Sequence, residues 1–552
     1  MNSQTKNCQN CKQDFTIEPE DFVFYEKMKV PLPEKCPQCR LQLRMLYRNF
    51  KTLYKRTSSM SGKSIVSMYN QEVPFPVYDI SEWWGDDWDP MVYGINIDWG
   101  QSFFEQFHSL FNKVPQISIL NIQSENCEYS NMVTKSKNCY LVFGCVNNEN
   151  CDYGHIVWHS KDSIDNLYIF KSESCYECID CLNCNKLLYS QECEGCVESI
   201  GLFDCRGCLN CIGSVGLVNK SYYIFNKQVT KEEYQNFLKE NQLYKESIIK
   251  KIFLEREKLR KILPQRAFFG SRNNNVSGNH IYNAHNVYYS FDVKGGEKSK
   301  FCFTVRSAID THDANFSTDL EECYQVLTCH GNKIMSCRNV HDSHDVYYSD
   351  NCHNCDNIFG CIGLRKKSYC IFNKQYSKEK YQELLPQLIQ NMKKNNEWGA
   401  FFPKEISPFG YNESIVNEYI PLNREKAITQ GFKWQDNIPS TSGQETIKLE
   451  DLLKNPLEYS NELIKEILAC KNCHRNFKLI SREIAFYKRL NLSLPHECFN
   501  CRHKNRMELR NPRVLFDAMC AKCNLNIKTS YKTEDQKIYK IYCEKCYQQE
   551  VY

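Results

Sequence analysis

The chain contains no run approaching the roughly 18 apolar residues of a membrane span, and its opening stretch, MNSQTKNCQNCKQDF, holds no apolar signal core. No membrane span is expected, and the expected compartment is the reducing cytoplasm, with a non-standard export route as the alternative. An excess of one charge is missing as well. Seventy Lys and Arg oppose 66 Asp and Glu, a net of +4, which points to no class of partner. No catalytic constellation is visible. His341 and His344 of HDSH, with His312 and His353, read as solvated turn histidines, so the chain is expected not to be an enzyme.

What the chain does have is cysteine, 33 in 552 residues. Near one end Cys8 and Cys11 precede Cys36 and Cys39; near the other Cys470 and Cys473 precede Cys498 and Cys501. Two C-x2-C knuckles about 25 residues apart supply four soft ligands for a tetrahedral zinc ion. The flanks match too: FTIEPEDFVFYEKMKVPLPEKCPQCR runs parallel to FKLISREIAFYKRLNLSLPHECFNCR, so these are copies of one zinc-ribbon module. A third set follows at Cys520, Cys523, Cys543 and Cys546. About three Zn2+ per chain are expected.

Aligning RNFKTLYKRTSSMSGKSIVSMYN with RNPRVLFDAMCAKCNLNIKTSYK places Ser58 and Ser61 where Cys520 and Cys523 stand. With a two-residue slip, Asp79 and Glu82 fall on Cys543 and Cys546. This predicts a ribbon that has lost its metal, with Trp83, Trp84, Trp88 and Trp99 supplying a core. Between Lys63 and Lys113 there is no Lys or Arg, while acids are frequent; that segment reads as a surface or as a dock for a basic ribbon.

After each second knuckle, Arg40, Arg44 and Arg48 recur as Arg502, Arg506 and Arg510, with Arg513 beyond. A spacing of four puts each trio on one helix face. Lys35 to Arg56 holds seven basic residues, including Lys51, Lys55 and Arg56, and no acidic one. Such a stripe suits phosphate, so RNA, DNA or a nucleoprotein is one expected partner. The alternative is that the arginines bond zinc thiolates and loop carbonyls, or simply solvate the helix.

The middle is periodic. Cys127, Cys139 and Cys151 are twelve apart, as are Cys181, Cys193 and Cys205, and Cys184, Cys196 and Cys208. Cut from Glu125, eight twelve-residue units end at Lys220, and the residues at every third position are almost all small or apolar. A second array starts at Asn273, loses one residue after Asn332, and closes in KSYCIFNKQYSKEKY as the first closes in KSYYIFNKQVTKEEY. All 21 cysteines outside the ribbons (33 − 12) obey the every-third frame. A residue type confined to one position in three faces one environment, and a narrow β-solenoid supplies it. A 24-residue coil is the alternative.

The coil resembles the twelve-residue coils of insect antifreeze solenoids, with Cys139/Cys145, Cys175/Cys181 and Cys323/Cys329 six apart; the Thr-x-Thr ladder is missing, so that activity is not expected. The interior cysteines read as packed thiols, as cross-coil disulfides, or as a second metal or iron–sulfur set at Cys175, Cys178, Cys181, Cys184, Cys193, Cys196, Cys205, Cys208 and Cys211. A ferredoxin run would need a proline after its last cysteine. Thr230 and Ser377 each open a lysine-rich helix.

The expected fold is mainly β and multidomain: a zinc ribbon at 1–57, a degenerate ribbon with its acidic segment at 58–124, a first solenoid at 125–226, a helix at 230–264, a second solenoid at 271–374, a helix at 377–397, a connector at 398–468, and zinc ribbons at 469–513 and 514–552. PLPEKCPQCRLQLRMLYRN, VYDISEWW, FFEQF, SPFGYNES and YCEKCYQQEVY resemble a group of uncharacterised zinc-ribbon proteins of reduced-genome candidate-phylum bacteria. The resemblance covers nearly the whole chain and implies a zinc ribbon, with no activity attached. The functional expectation is a zinc-binding scaffold for nucleic acid or nucleoprotein. The alternatives are a structural homo-oligomer built on the solenoids, and a metal-storage or redox protein.

Overall fold

The computed structural model describes residues 2–315, 323–327, 335–452 and 454–551. The chain forms two compact units. One comprises Met1–Ile119, Phe268–Asn437 and Arg513–Leu515; the other Leu120–Ala267, Ile438–Pro512 and Phe516–Tyr552. Each therefore joins one twelve-residue array to cysteine modules from the opposite end of the chain.

Within the arrays short parallel strands pair at a fixed offset. Cys139 lies beside Cys127, Val157 beside Ile169, Leu187 beside Ser199 and Cys211 beside Tyr223. Val346, Ile358 and Cys370 continue the rule in the second array. The offset is twelve throughout these pairs, so the 24-residue alternative does not apply. Tyr324 pairs with Met335, an offset of eleven, as the lost residue requires; Asn332 and Cys329 lie outside the described residues. Pairing in the first array begins earlier than expected, at Asn121 beside Val133. Both arrays close with an antiparallel return, Tyr223 to Gln228 and Cys370 to Gln375. About 30% of the structure is strand and 26% helix, so the mainly β expectation shifts to a mixed one. Many coil contacts are single bridges such as Ile164 to Tyr176, which keeps the strands short.

The coil turns because every third residue is left-handed. From Asn126 to Phe225 each residue before an inward position has φ between +46 and +68°, glycine or not. That conformation is unfavourable for most L-residues and least so for Asn, Asp and Gly, which accounts for Asn126, Asn138, Asn150, Asp162, Asp165 and Asp180 at such corners. Inside, 19 of the 20 described array cysteines are buried and Cys127 is half-buried. Serine takes the same inward position with its hydroxyl satisfied. Ser130 donates to the Glu128 carbonyl at 3.0 Å and accepts from the Val142 amide of the next coil at 3.1 Å. Cysteine copies the first contact more weakly, as Cys139 Sγ to the Lys137 carbonyl at 3.4 Å. Ser163 can thus continue a cysteine column without leaving a buried polar group unmet.

Thr230 and Ser377 accept from the Glu233 and Lys380 amides as helix N-caps. The first expected helix is two, Lys231–Glu240 and Glu246–Ile262, because the Asn241 side chain caps the Phe237 carbonyl and ends the first. The second helix lies along the coils rather than only closing their end. A Cβ on Gly201 would meet Ile252 Cγ2 at 2.5 Å, and Arg256 donates to the Tyr189 carbonyl at 3.2 Å.

Candidate metal centres and the arginine faces

Three groups bring four sulfurs within 4.8 Å of one another: Cys8, Cys11, Cys36, Cys39; Cys470, Cys473, Cys498, Cys501; and Cys520, Cys523, Cys543, Cys546. Local structure builds each the same way. The first cysteine opens a tight turn (Cys8 N–H to Gln13 O, 2.9 Å; Cys470 to Arg475, 2.9 Å; Cys520 to Leu525, 2.9 Å). A left-handed residue four positions on, Lys12, His474 or Asn524, reverses the chain. The third cysteine then caps a helix, as Cys36 does for Pro37–Leu46 and Cys498 for Phe499–Glu508, where the helix dipole favours thiolate.

The donors fit a tetrahedral ion. Bonds of about 2.3 Å imply S···S edges of about 3.8 Å; the spacings are 3.7 Å for Cys11–Cys36, 3.7 Å for Cys473–Cys498 and 3.8 Å for Cys523–Cys543. Amides support the sulfurs, Cys36 N–H to Cys8 Sγ at 3.2 Å and Cys543 N–H to Cys520 Sγ at 3.3 Å. Burial pushes the Cys470 thiol up, but the amides of Cys473, Cys498 and Asn472 outweigh it and hold it at about 7. Cys520 settles at about 6 by the same balance.

The fourth module keeps the turn without sulfur. Ser58 N–H bonds Lys63 O at 2.8 Å, and Gly62 takes the left-handed place at φ +74°. Asp79 caps Ile80–Trp84 as the third cysteine caps elsewhere. Ser58 Oγ bonds Glu82 directly, and bonds from both serines lower the Glu82 pKa against a burial effect that raises it. A hydrogen-bonded cluster stands where the other modules place four thiolates. Of the expected aromatic core only Trp83 and Trp88 are buried, while Trp84 and Trp99 are partly exposed. The neighbouring acids face amides: Asp89, Asp98 and Glu105 each accept from a backbone N–H.

The arginine stripes need correction. Arg44 and Arg506 are 0% and 1% exposed, and the first two arginines of each trio turn onto an array carboxylate. In the second unit Arg502 Nε donates to Asp165 at 3.0 Å, Arg506 Nη2 lies 3.0 Å from Asp165 and its Nη1 donates to Glu177 at 2.7 Å. Arg510 grips Asp180 with two bonds of 2.7 and 2.8 Å. In the first unit Arg40 bonds Asp313, Arg44 Nη1 lies 3.4 Å from Asp313, and Arg44 Nε donates to Asn315 at 2.8 Å. Arg48 is buried over the Phe50 ring, and Arg513 bonds Asp292 at 2.6 Å over Phe303. Lys51 pairs with Glu418 at 2.9 Å and Arg56 donates to the Asn70 carbonyl at 2.6 Å; Lys55 alone of the set is exposed. A guanidinium taken out of water needs a charged partner there, and the first two arginines of each trio have theirs in array carboxylates, so they are not presented to an external phosphate. Asp165 and Asp313 are the residues sequence reasoning missed. Both are left-handed corners at the fifth place of the fourth coil in their arrays.

The second metal set is not assembled. Cys175 to Cys211 line the interior, and among the described residues they form no group of three with ligand atoms all within 4.8 Å. Their thiols instead donate to carbonyls, Cys178 to Leu187 at 3.1 Å and Cys181 to Ile179 at 3.3 Å. No described cysteine is in a disulfide. Within the set the thiols diverge: burial pushes Cys178 up, but hydrogen bonds from Cys175 and Cys181 outweigh it and hold it at about 5, while Cys175 and Cys181 are themselves pushed well up. Two expected turn histidines are buried instead: His312 stacks on Phe24 at 3.7 Å, and His353 lies 4.7 Å from Trp84, its pKa driven to about 3 by burial.

The two ribbon modules respond oppositely to pH. Burial raises Glu483 to about 8. Its counterpart Asp21 is also pushed up by burial, but His312 at 3.1 Å and Lys300 at 2.8 Å hold it at about 2. Between pH 5 and 7 folded Glu483 keeps a proton that the unfolded chain has released. Its contribution is therefore lost as pH rises, by up to about 1.4 kcal/mol per unit. Asp21 contributes above the unfolded value near 4 and loses that as pH falls towards 2. Denaturant midpoints of Glu483→Gln, followed by hydrogen exchange in each unit, are expected to lose the decline between pH 5 and 7 in the second unit only. An unchanged slope would refute the assignment.

No family model matches the chain, and no curated protein is similar to it.

Proposed function

We propose that the chain is a non-catalytic, zinc-stapled scaffold in which two β-solenoids are each clamped along one flank by ribbon modules. The observation that carries this reading is the burial of the first two arginines of each trio on one array carboxylate, Asp165 or Asp313. A ribbon whose basic face is used inward holds the solenoid rather than a phosphate backbone. Cys8, Cys11, Cys36 and Cys39 would hold one zinc ion, with the sets at Cys470 and Cys520 holding the others. Zinc supplies a cross-link there, and the stacked cysteines supply a thin apolar interior.

Metal analysis of the purified full chain is the test. Three zinc ions per chain, no iron and a colourless solution are the expected result, following from the three four-cysteine groups. Iron with visible absorbance would favour a cluster protein and end this reading. Salt-sensitive binding of RNA or DNA that Arg44→Glu abolishes, with the fold intact by circular dichroism, would return the arginines to phosphate contact and would also end it.

A further inference from the structure

Both units dock a ribbon on an array by the same set of contacts. Tyr25 meets Tyr324 edge-on at 5.3 Å, and Tyr487 meets Tyr176 edge-on at 5.6 Å. Arg40 lies over Phe301 at 5.6 Å and Arg502 over Tyr153 at 4.8 Å. Asp313 and Asp165 each take the first two arginines of a trio. A chain carrying two such ribbons and two such arrays has two ways to pair them, and the shared contacts do not choose between them.

One equivalent position does. Glu20 and Arg482 occupy the same place in their helices, one residue before Asp21 and Glu483, and Lys300 and Asp152 the same place in the third coil of their arrays. Glu20 is 2.9 Å from Lys300, and Arg482 Nε donates to Asp152 at 2.8 Å. The sign is inverted between the units. We propose that this inverted pair sorts the ribbons, so that each accepts its own array and refuses the other. Exchanged, Arg482 would meet Lys300 and Glu20 would meet Asp152. The array side is the one that discriminates: the Lys300 and Asp152 side chains are 5% and 0% exposed, so a like charge there meets a group that water cannot screen. Asp21 strengthens the match on the Lys300 side, lying 2.8 Å from it.

The test uses the full chain refolded from denaturant with zinc. Carbodiimide joins a carboxylate to a lysine in direct contact, so the wild-type chain is expected to give a Glu20–Lys300 adduct by peptide mass spectrometry. The ribbon-side reversal, Glu20→Arg with Arg482→Glu, is expected to move the acid-bearing ribbon and give an adduct between position 482 and Lys300. Should that variant fail to refold, the fourfold reversal adding Lys300→Asp and Asp152→Lys is expected to recover the wild-type yield and hydrogen-exchange pattern. Wild-type yield and protection in the twofold variant, with no 482–300 adduct, would overturn the proposal, as would a fourfold variant no better than a misfolded twofold one. Neither result depends on which metal fills the ribbons, so it stands apart from the scaffold reading.

Discussion

Asp165→Ala is expected to cost the second unit about 3–5 kcal/mol, the range for stripping one partner from a buried ion pair. The side chain is fully buried and receives both Arg502 and Arg506. Its removal sets two guanidinium groups against each other, with Glu177 left to serve Arg506 alone. Asp313→Ala is expected to do the same in the first unit, where Arg40 and Arg44 converge. Denaturant unfolding, with hydrogen exchange to locate the loss, separates the two. Each substitution should open its own ribbon helix, Phe499–Glu508 or Pro37–Leu46, before anything else. A loss below about 1 kcal/mol, typical of an exposed pair, would mean that the arginines are solvated and the docking surface is open.

Removing the metal should be more severe. Structural zinc contributes about 10–16 kcal/mol in isolated finger peptides, and modules of this size have little apolar core to replace it. Chelation is expected to release amide protection across residues 8–46 and 470–546, together with the array flank that the arginines cover. The hairpin pairing Tyr54–Thr57 with Ser64–Ser67 should hold, because Ser58 and Glu82 bond each other directly. That contrast within one chain is the diagnostic: uniform loss would show that the serine module depends on its neighbours, and uniform retention would show that the four-cysteine groups need no ion to fold.

Much of this is legible in the sequence. Cysteine spacing locates three metal sets because chelation demands ligands in fixed pairs. The every-third frame identifies the inward positions because a coil with one left-handed residue in three has no other way to repeat. The serine module follows from alignment alone. The arginines mislead for a physical reason: a basic helix face reads the same whether it meets water, phosphate or a carboxylate 273 positions away in the chain. Asp165 and Asp313 give no local sign, since aspartate is what a left-handed corner ordinarily accepts. Comparing equivalent coils of the two arrays finds them, for both place the acid at the same point. The break at Asn241 is hidden by continuous lysine and glutamate patterning on both sides of it.

The pairing of each array with modules from the far end of the chain sets a timetable for synthesis. Arg40 leaves the ribosome 273 residues before Asp313, an interval of roughly 14 to 55 s at about 5–20 residues per second. In about the last third of that interval, once residue 226 has emerged, the finished first array is the surface on offer to the N-terminal ribbon, and Asp152 faces it with the wrong sign for Glu20. The first array then waits in turn, with Asp165 uncovered until Arg502 emerges 337 residues later. The nascent chain thus carries a ribbon without a seat and then a seat without a ribbon, and the inverted charge keeps the first from taking the second.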